Sequence, residues 1–284
     1  MKKELLKEYP PFSVLLSVYK KENPEFLDKA LLSIENQTVL PKEIVLVEDG
    51  VLTSELEKVI SEHKKRNIVS YIIVTTAQNN GLAAALRLGT KYVSTEWIAR
   101  MDSDDYSVED RFEKQLDVIK NDPDLVVVGG QIKEFATNIN SIVGNRIVPT
   151  TEAEIKKFIK WRNPFNHPTV MIRKKILERV GGYIPFGNLE DYYLWVRIVS
   201  SNYKVINIPD FLVYMRVDGG MYDRRGKLSN IKYFYDLRSF LENKGLISLS
   251  EKVMGNVAMT MNIVIPSQLR KMIYQNFLHK NRRG

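Results

Sequence analysis

The run from Phe12 to Gly50, FSVLLSVYKKENPEFLDKALLSIENQTVLPKEIVLVEDG, decides the architecture. It opens on a short apolar run, Phe12 to Val18, rich in β-formers, as expected of a strand buried on both faces. Asn23-Pro24 then supplies a helix start, and Phe26, Leu27, Ala30, Leu31 and Ile34 recur at helical spacing. Pro41 separates that helix from a second strand, Glu43 to Val47. Two apolar strands joined by an amphipathic helix make a β-α-β unit, whose strands run parallel.

The same alternation continues along the chain. Residues 53–66 read as helix and 68–75 (IVSYIIVT) as a third strand. Asn80-Gly81 opens a helix through about Tyr92, and a fourth strand, 95–101, runs into Asp102-Ser103-Asp104-Asp105. Residues 108–120 follow as helix and 125–129 as a fifth strand. Short connections between alternating elements predict an α/β fold with a mostly parallel, doubly wound, Rossmann-like sheet. Such sheets bind ligands beyond the carboxyl ends of their strands. Tyr19 to Asn23, Glu48-Asp49-Gly50 and Asp102 to Asp105 are therefore expected along one rim.

The second half is less regular. It offers a helix at 151–160, a loop at 163–168 (NPFNHP), a strand through Ile172 and a break at Gly181-Gly182. An amphipathic segment starts at Glu190-Asp191, strand-like residues follow at 203–208, and helices are expected over 227–243 and 247–263.

Composition narrows the function. The chain has 284 residues, 44% of them apolar, enough to bury a full core. It has no cysteine, which rules out a disulfide scaffold and thiolate metal sites. Met1 to Tyr9 is charged and lacks the apolar stretch of a signal peptide, and no window approaches the roughly 18 apolar residues of a membrane span. A cytoplasmic location is the resulting expectation. Net charge is +8, and after Glu251 come only cations: Lys252, Arg270, Lys271, Lys280, Arg282 and Arg283. Leu269, Met272, Ile273 and Phe277 share one helical face, with Arg270 and Lys271 off it. Two readings of residues 267–284 stand: a helix lying on the anionic inner face of the plasma membrane, or one packed on the core with a solvated basic end. No zinc-finger, helix-turn-helix or RNP pattern is present, so nucleic acid is not an expected partner.

The chemistry lies in carboxylates. Asp102 and Asp104 leave a strand end two residues apart, and hard cations such as Mg²⁺ or Mn²⁺ take one or two carboxylates plus substrate phosphates. A solvated acidic turn is the competing reading. An EF-hand fails because Tyr106 and Ser107 stand where the loop needs an oxygen ligand and a glycine. Asp49 is presented at a second strand end, able to accept from a base or a ribose, or to serve as a turn residue. Asn80-Gly81 resembles a helix entry with free N–H groups that attract anions, or an ordinary cap. It belongs to neither a P-loop nor a G-x-G-x-x-G motif. Glu190 and Asp191 point about 100° apart on a helix, so one can act as a general base while the other caps the helix. The three histidines, His63, His167 and His279, are too scattered for a metal cluster, and His167 reads as a loop residue.

In order, FSVLLSVYKKENPEFLDKALLSIENQT, EIVLVEDG, NNGLAAALRLG, WIARMDSDD, NPFNHPTVMIRK, GGY and EDYYLW resemble the family-two glycosyltransferases, inverting enzymes of the GT-A fold that build capsule, exopolysaccharide or lipopolysaccharide. The resemblance covers about residues 10–217. It implies a GT-A domain at 1–217, with a nucleotide-binding half (10–130) and an acceptor half (131–217), followed by a helical C-terminal extension, 218–284. It further implies that Ser17, Val18 and Tyr19 line the nucleotide pocket, that Asp49 binds uracil, and that Asp102, with Ser103, meets the ribose or diphosphate. Asp104, with Asp102, would hold a divalent metal, Mn²⁺ or Mg²⁺, and Asp191 would be the catalytic base, supported by Glu190. The implied reaction moves a single sugar from a nucleotide-sugar, with a UDP-sugar the expected donor, to a glycan or lipid-linked acceptor. Two departures stand out. Glu48 precedes Asp49 where the family often has two aspartates, and the QxxRW signature of processive members is missing. The rival readings are a nucleotidyltransferase, a basic nucleic-acid-binding protein and an inactive scaffold.

Overall fold

The computed structural model describes residues 8–217 and 231–264. The expected alternation is present as β1 (Phe12–Val18), α1 (Pro24–Glu35), β2 (Glu43–Glu48), α2 (Ser54–Arg66), β3 (Ser70–Thr75), α3 (Leu82–Thr90) and β4 (Trp97–Arg100). Local chemistry sets the boundaries. The Asn23 side chain accepts from the Glu25 N–H at the start of α1, with Pro24 in the first turn, and Thr53 caps α2 in the same way through Leu56. After β4 come β5 (Tyr106–Ser107), α4 (Arg111–Asn121), β6 (Leu125–Phe135), β7 (Ile142–Arg146), α5 (Glu152–Phe158), β8 (Met171–Arg173), α6 (Lys174–Arg179), α7 (Glu190–Val199) and β9 (Lys204–Arg216). Two further helices, α8 (Ile231–Asn243) and α9 (Leu249–Val264), form the helical C-terminal region. The segment expected as a membrane-lying helix, 267–284, falls outside the described residues.

The strands form one sheet in the order β3-β2-β1-β4-β8-β6-β9-β5, with β7 on β6. β3, β2, β1 and β4 are mutually parallel, and β6 is parallel to β9. The late strand β8 inserts antiparallel between β4 and β6, pairing Ile172 with both Ile98 and Val127. Successive side chains of β1 feed opposite layers. Val14 and Leu16 pack with Leu27, Leu31, Leu56 and Phe112 on the α1–α2–α4 side, while Leu15 packs with Leu86, Leu194 and Trp195 on the α3–α7 side.

Two strands run well past the 125–129 and 203–208 stretches legible in the sequence, and β5 and β7 have no clear sequence signal. The Gly129-Gly130 pair, which reads as a strand end, is instead where β9 comes close. A Cβ on Gly129 would lie 2.2 Å from Asn207 Oδ1, and one on Gly130 2.4 Å from Leu212 Cδ1. The extended β6–β9 pair carries the chain back to the rim, ending at Arg216. The 163–168 loop closes into a 3₁₀ turn, His167–Thr169.

A buried polar network ties α1, α2 and β3 together. His63 is fully buried, with Nδ1 2.9 Å from Glu35 Oε1 and Nε2 3.1 Å from Asp28 Oδ1. Tyr71 donates its hydroxyl to Glu35 (2.8 Å) and Arg66 Nη1 lies 3.4 Å from the other carboxylate oxygen. Burial works to raise the Glu35 carboxyl, but the bonds from His63 and Tyr71 outweigh it and hold it below the usual range. Glu35→Ala is expected to cost about 3 kcal/mol, since it strands buried partners, read as a lower urea midpoint at unchanged slope. The stability gap between the native chain and Glu35→Gln should be full at neutral pH. It should shrink as pH falls below the ordinary carboxylate range and through the lowered Glu35 value, because protonation then removes the same charge.

Candidate functional site

Parallel strands ending together at their carboxyl edge present their following loops side by side. A cleft of about 560 Å³ opens there, within the range of small-molecule sites. Ser17, Val18 and Tyr19 at the end of β1, Asp49 after β2, Gly81 before α3, and Asp102, Ser103 and Asp104 after β4 all line it. Eight residues singled out in the sequence thus share one wall. Asn79 and Leu82 join from the α3 entry, Glu22, Asn23 and Phe26 from the β1–α1 turn, and Arg216 from the end of β9.

Asp49 is almost fully buried, and its carboxylate organises the rim. Oδ1 accepts from the Asn80 N–H (2.8 Å) and, more weakly, from the Thr76 hydroxyl (3.4 Å), while Oδ2 accepts from the Gly81 N–H (2.9 Å). The Asn80 and Gly81 N–H groups are therefore not the free anion donors that the sequence suggests. Asn80 turns its side-chain amide to the Gln78 carbonyl (2.9 Å). A carboxylate has about four acceptor positions, so Asp49 keeps one for a ligand. Gly50 makes this turn possible: its φ is +89°, and a Cβ there would approach the Asn79 nitrogen to 2.9 Å.

Behind the second acidic cluster lies Arg100, 2% exposed, two residues before Asp102 on the same strand face. It is ion-paired with Asp102. Burial opposes its charge, but Asp102 keeps it firmly protonated. Its Nε and Nη1 have no hydrogen-bond partner among the described residues. Arg111, also buried, donates Nη2 to the Arg100 carbonyl (2.8 Å) and Nε to Gln115 (3.1 Å), bracing the end of β4. Asp105 turns inward, accepts the Arg216 N–H (2.8 Å) and leaves Oδ2 without a partner among the described residues. Burial, then Asp102 and Asp104, push its carboxyl well above the usual range.

Asp104 differs from both neighbours. Burial and the charges of Asp102 and Glu22 push its carboxyl up to about 7. Glu22 in turn accepts the Ser103 hydroxyl (2.5 Å). Arg100 offsets only part of this crowded carboxylate charge, which a hard cation would relieve further, so this oxygen set fits Mg²⁺ or Mn²⁺. No group of three acidic or histidine side chains that would enclose an ion by itself is assembled among the described residues. The remaining coordination positions would thus fall to water and a substrate diphosphate.

Glu190 and Asp191 stand in the first turn of α7, and neither is its N-cap, which is Leu189. Asp191 Oδ1 accepts the Tyr192 N–H (2.7 Å) and Oδ2 the Asn163 amide (2.6 Å). Burial raises both carboxyls, Glu190 to about 7, and Glu190 Oε2 is buried without a partner among the described residues. Neither carboxylate is among the residues that line the cleft, although Arg100 acts electrostatically on both. His167 is buried against Tyr183 (3.2 Å) and Trp195. Burial, then Arg100, hold it neutral, consistent with a structural role.

Sequence reasoning missed Arg100, Asn163 and Arg216. A charged residue inside the apolar strand WIARM was a usable signal for the first. Arg216 had none, because β9 brings it from over 100 positions away. Its guanidinium lies 3.5 Å from the Phe26 ring centroid and 4.6 Å from that of Phe135, and donates to the Tyr106 hydroxyl (2.9 Å).

The family model described as glycosyl transferase family 2 matches residues 13–181. The chain is 33% identical over 276 residues to the amylovoran biosynthesis glycosyltransferase AmsE of Erwinia amylovora, covering 96% of this chain and all of that one. It is also 33% identical over 276 residues to an Escherichia coli UDP-Gal:alpha-D-GlcNAc-diphosphoundecaprenol beta-1,3-galactosyltransferase, covering 95% and 98%. Among solved structures, residues 1–349 of Staphylococcus aureus TarS in complex with UDP-GlcNAc superpose with a TM-score of 0.65 at 18% identity, over 88% of this chain and 71% of that one. That likeness is one of fold.

The turn that Asp49 organises has a direct test. Gly50→Ala forces a side chain into a left-handed backbone and against Asn79, and should cost about 1–3 kcal/mol, measured as a fall in the thermal midpoint of the free protein.

Proposed function

The chain belongs to glycosyl transferase family 2, and we propose that it transfers a single sugar, with inversion, from a UDP-sugar to a lipid-diphosphate-linked glycan during surface polysaccharide assembly. One observation carries the reading: the carboxylate Asp49 and the acidic pair Asp102/Asp104 line one cleft, while Asp191 stands in the first turn of α7, outside that lining. The uridine donor and the diphosphate-linked acceptor are supported by the wording of the galactosyltransferase relative's name.

In this reading Tyr19, exposed at the cleft mouth, lies along the base, and the spare acceptor position of Asp49 takes the uracil imide N–H. Ser17 and Val18 form the adjoining wall, and Asp102 and Ser103 meet the ribose and diphosphate. Asp104, with Asp102, would hold Mn²⁺ or Mg²⁺. When bound, such an ion neutralises charge on a departing diphosphate. Arg216, steadied on Phe26 and Phe135, presents a guanidinium suited to phosphate oxygens on the same cleft. Asp191, fixed by Asn163 and Tyr192, accepts the proton of the acceptor hydroxyl as that oxygen attacks the anomeric carbon opposite the leaving group. Direct displacement needs no covalent intermediate, in keeping with a chain that has no cysteine. No described helix is long and apolar enough to cross a membrane. The acceptor would be met at the inner face of the plasma membrane, with residues 267–284 contributing cations.

Two measurements test this. In a thermal-shift screen of UDP, dTDP, GDP and CDP with and without Mn²⁺, one diphosphate, expected to be UDP, should raise the midpoint strongly only with metal, and Asp104→Ala should abolish the gain. If no nucleotide shifts the midpoint, the donor-cleft reading fails. In transfer assays, Asp191→Asn should lower kcat by about a thousandfold or more. Because a base must be ionised and burial raises the Asp191 carboxyl, the native rate should climb with pH across a limb lying above the ordinary carboxylate range. Glu190→Gln should retain that limb.

A further inference from the structure

Helix α9 carries a face that nothing in the described structure covers. Leu249, Val253, Val257 and Met261 recur at four-residue spacing and are 63%, 55%, 53% and 62% exposed. Met254, 56% exposed, and Ala258 widen the stripe, and no charged side chain interrupts it. A spacing of four advances about 40° around a helix, so these residues share one broad side over about 18 Å of its length. Exposed Val, Leu and Met at this density are unusual for a solvated surface, where single apolar residues are the norm.

The opposite side of α9 is fully engaged. Gly255 admits the Arg238 side chain of α8, which donates to the Glu251 carbonyl (2.9 Å) and to that of Lys160 (3.2 Å) and lies over the Trp161 ring. Glu251 pairs with Lys160 (3.1 Å) and Lys252 with Glu242 (2.7 Å). On the stripe's own side, Tyr235 and Thr260 join their hydroxyls (2.6 Å). The charges of α9 thus point toward the protein and its apolar residues away from it. For a helix simply packed on the core the order is reversed.

We propose that this face of α9 is a membrane-docking surface that enters the headgroup boundary of an anionic bilayer. Charge selects this occupant. Residues 265–284, which continue the chain from α9, contain Arg270, Lys271, Lys280, Arg282 and Arg283 and no acidic residue. An apolar helix face followed directly by unopposed cations matches the two attractions that hold a peripheral helix on anionic lipid. A second copy carries the same cations and no acidic residue in 265–284 to complement them, so charge does not favour it as the occupant. The surface argument stands on α9 alone, and only its use, placing the cleft over a lipid-linked acceptor, rests on the transferase reading.

The test is co-sedimentation of the full chain with vesicles of phosphatidylcholine alone and of phosphatidylcholine mixed with anionic phosphatidylglycerol. It compares the native protein with the double variant Val253→Glu, Val257→Glu, whose positions are exposed and remote from the cleft. The native chain should bind the anionic vesicles and the variant about tenfold or more weakly, with equal thermal midpoints in the absence of vesicles. Equal binding by both proteins would place the contact elsewhere and overturn the proposal. Absence of native binding would do the same. A native dimer in solution that the variant dissociates would assign the face to a second copy. A large loss of thermal stability in the vesicle-free variant would assign it to the chain's own later residues. None of these outcomes depends on donor binding, so nucleotide-induced stabilisation separates failure of this proposal from failure of the transferase reading.

Discussion

A guanidinium buried at the end of the central strand β4 governs the site. Arg100 is nearly inaccessible to water, and a buried cation is costly unless it is paired or hydrogen-bonded. Asp102 pairs with it directly, while Asp104, Asp105, Glu190 and Asp191 all lie within its field. Five acids from two distant segments can crowd together because this one positive charge stands between them. Its own charge is secure, while the Asp104 and Glu190 carboxyls, each pushed up to about 7 chiefly by burial, change protonation near neutral pH.

That crowding distributes different tasks among chemically similar groups. Asp102 spends its charge on Arg100, and Asp105 is withdrawn inward to hold the end of β9. Asp104 lines the cleft, where burial and then repulsion from Asp102 and Glu22 raise its carboxyl. Asp191 is oriented by Asn163 and the helix backbone, and burial lifts its basicity. Environment, rather than residue type, separates a candidate metal ligand from a candidate base.

The sheet supplies the rigidity these distinctions require. Layers on both sides bury β1, β2 and β4, and the Glu35–His63 network clamps two of the covering helices to the edge strand. The rim loops are short and internally bonded, as Asp49 shows by fastening the Asn80-Gly81 turn. Beyond this sheet, α9 turns an apolar side outward.

Alternation of apolar strands with amphipathic helices over residues 12–129 was enough to read the parallel half of the fold and the shared rim. Hydrophobic period is a local property, and strand-end loops inherit their position from it. Asp49, Asp102 and Asp104 were legible for that reason. What lay beyond was decided by pairing between distant segments: the insertion of β8 between β4 and β6, the continuation of β6 through Gly129-Gly130, and the arrival of Arg216 at the cleft. The bond from Asn163 to Asp191, and the use of the Asn80 and Gly81 N–H groups by Asp49, likewise follow from which loops meet. A sequence states which groups are available to donate or accept. Only the packed chain determines which partner, among many of equal chemistry, lies within 3 Å.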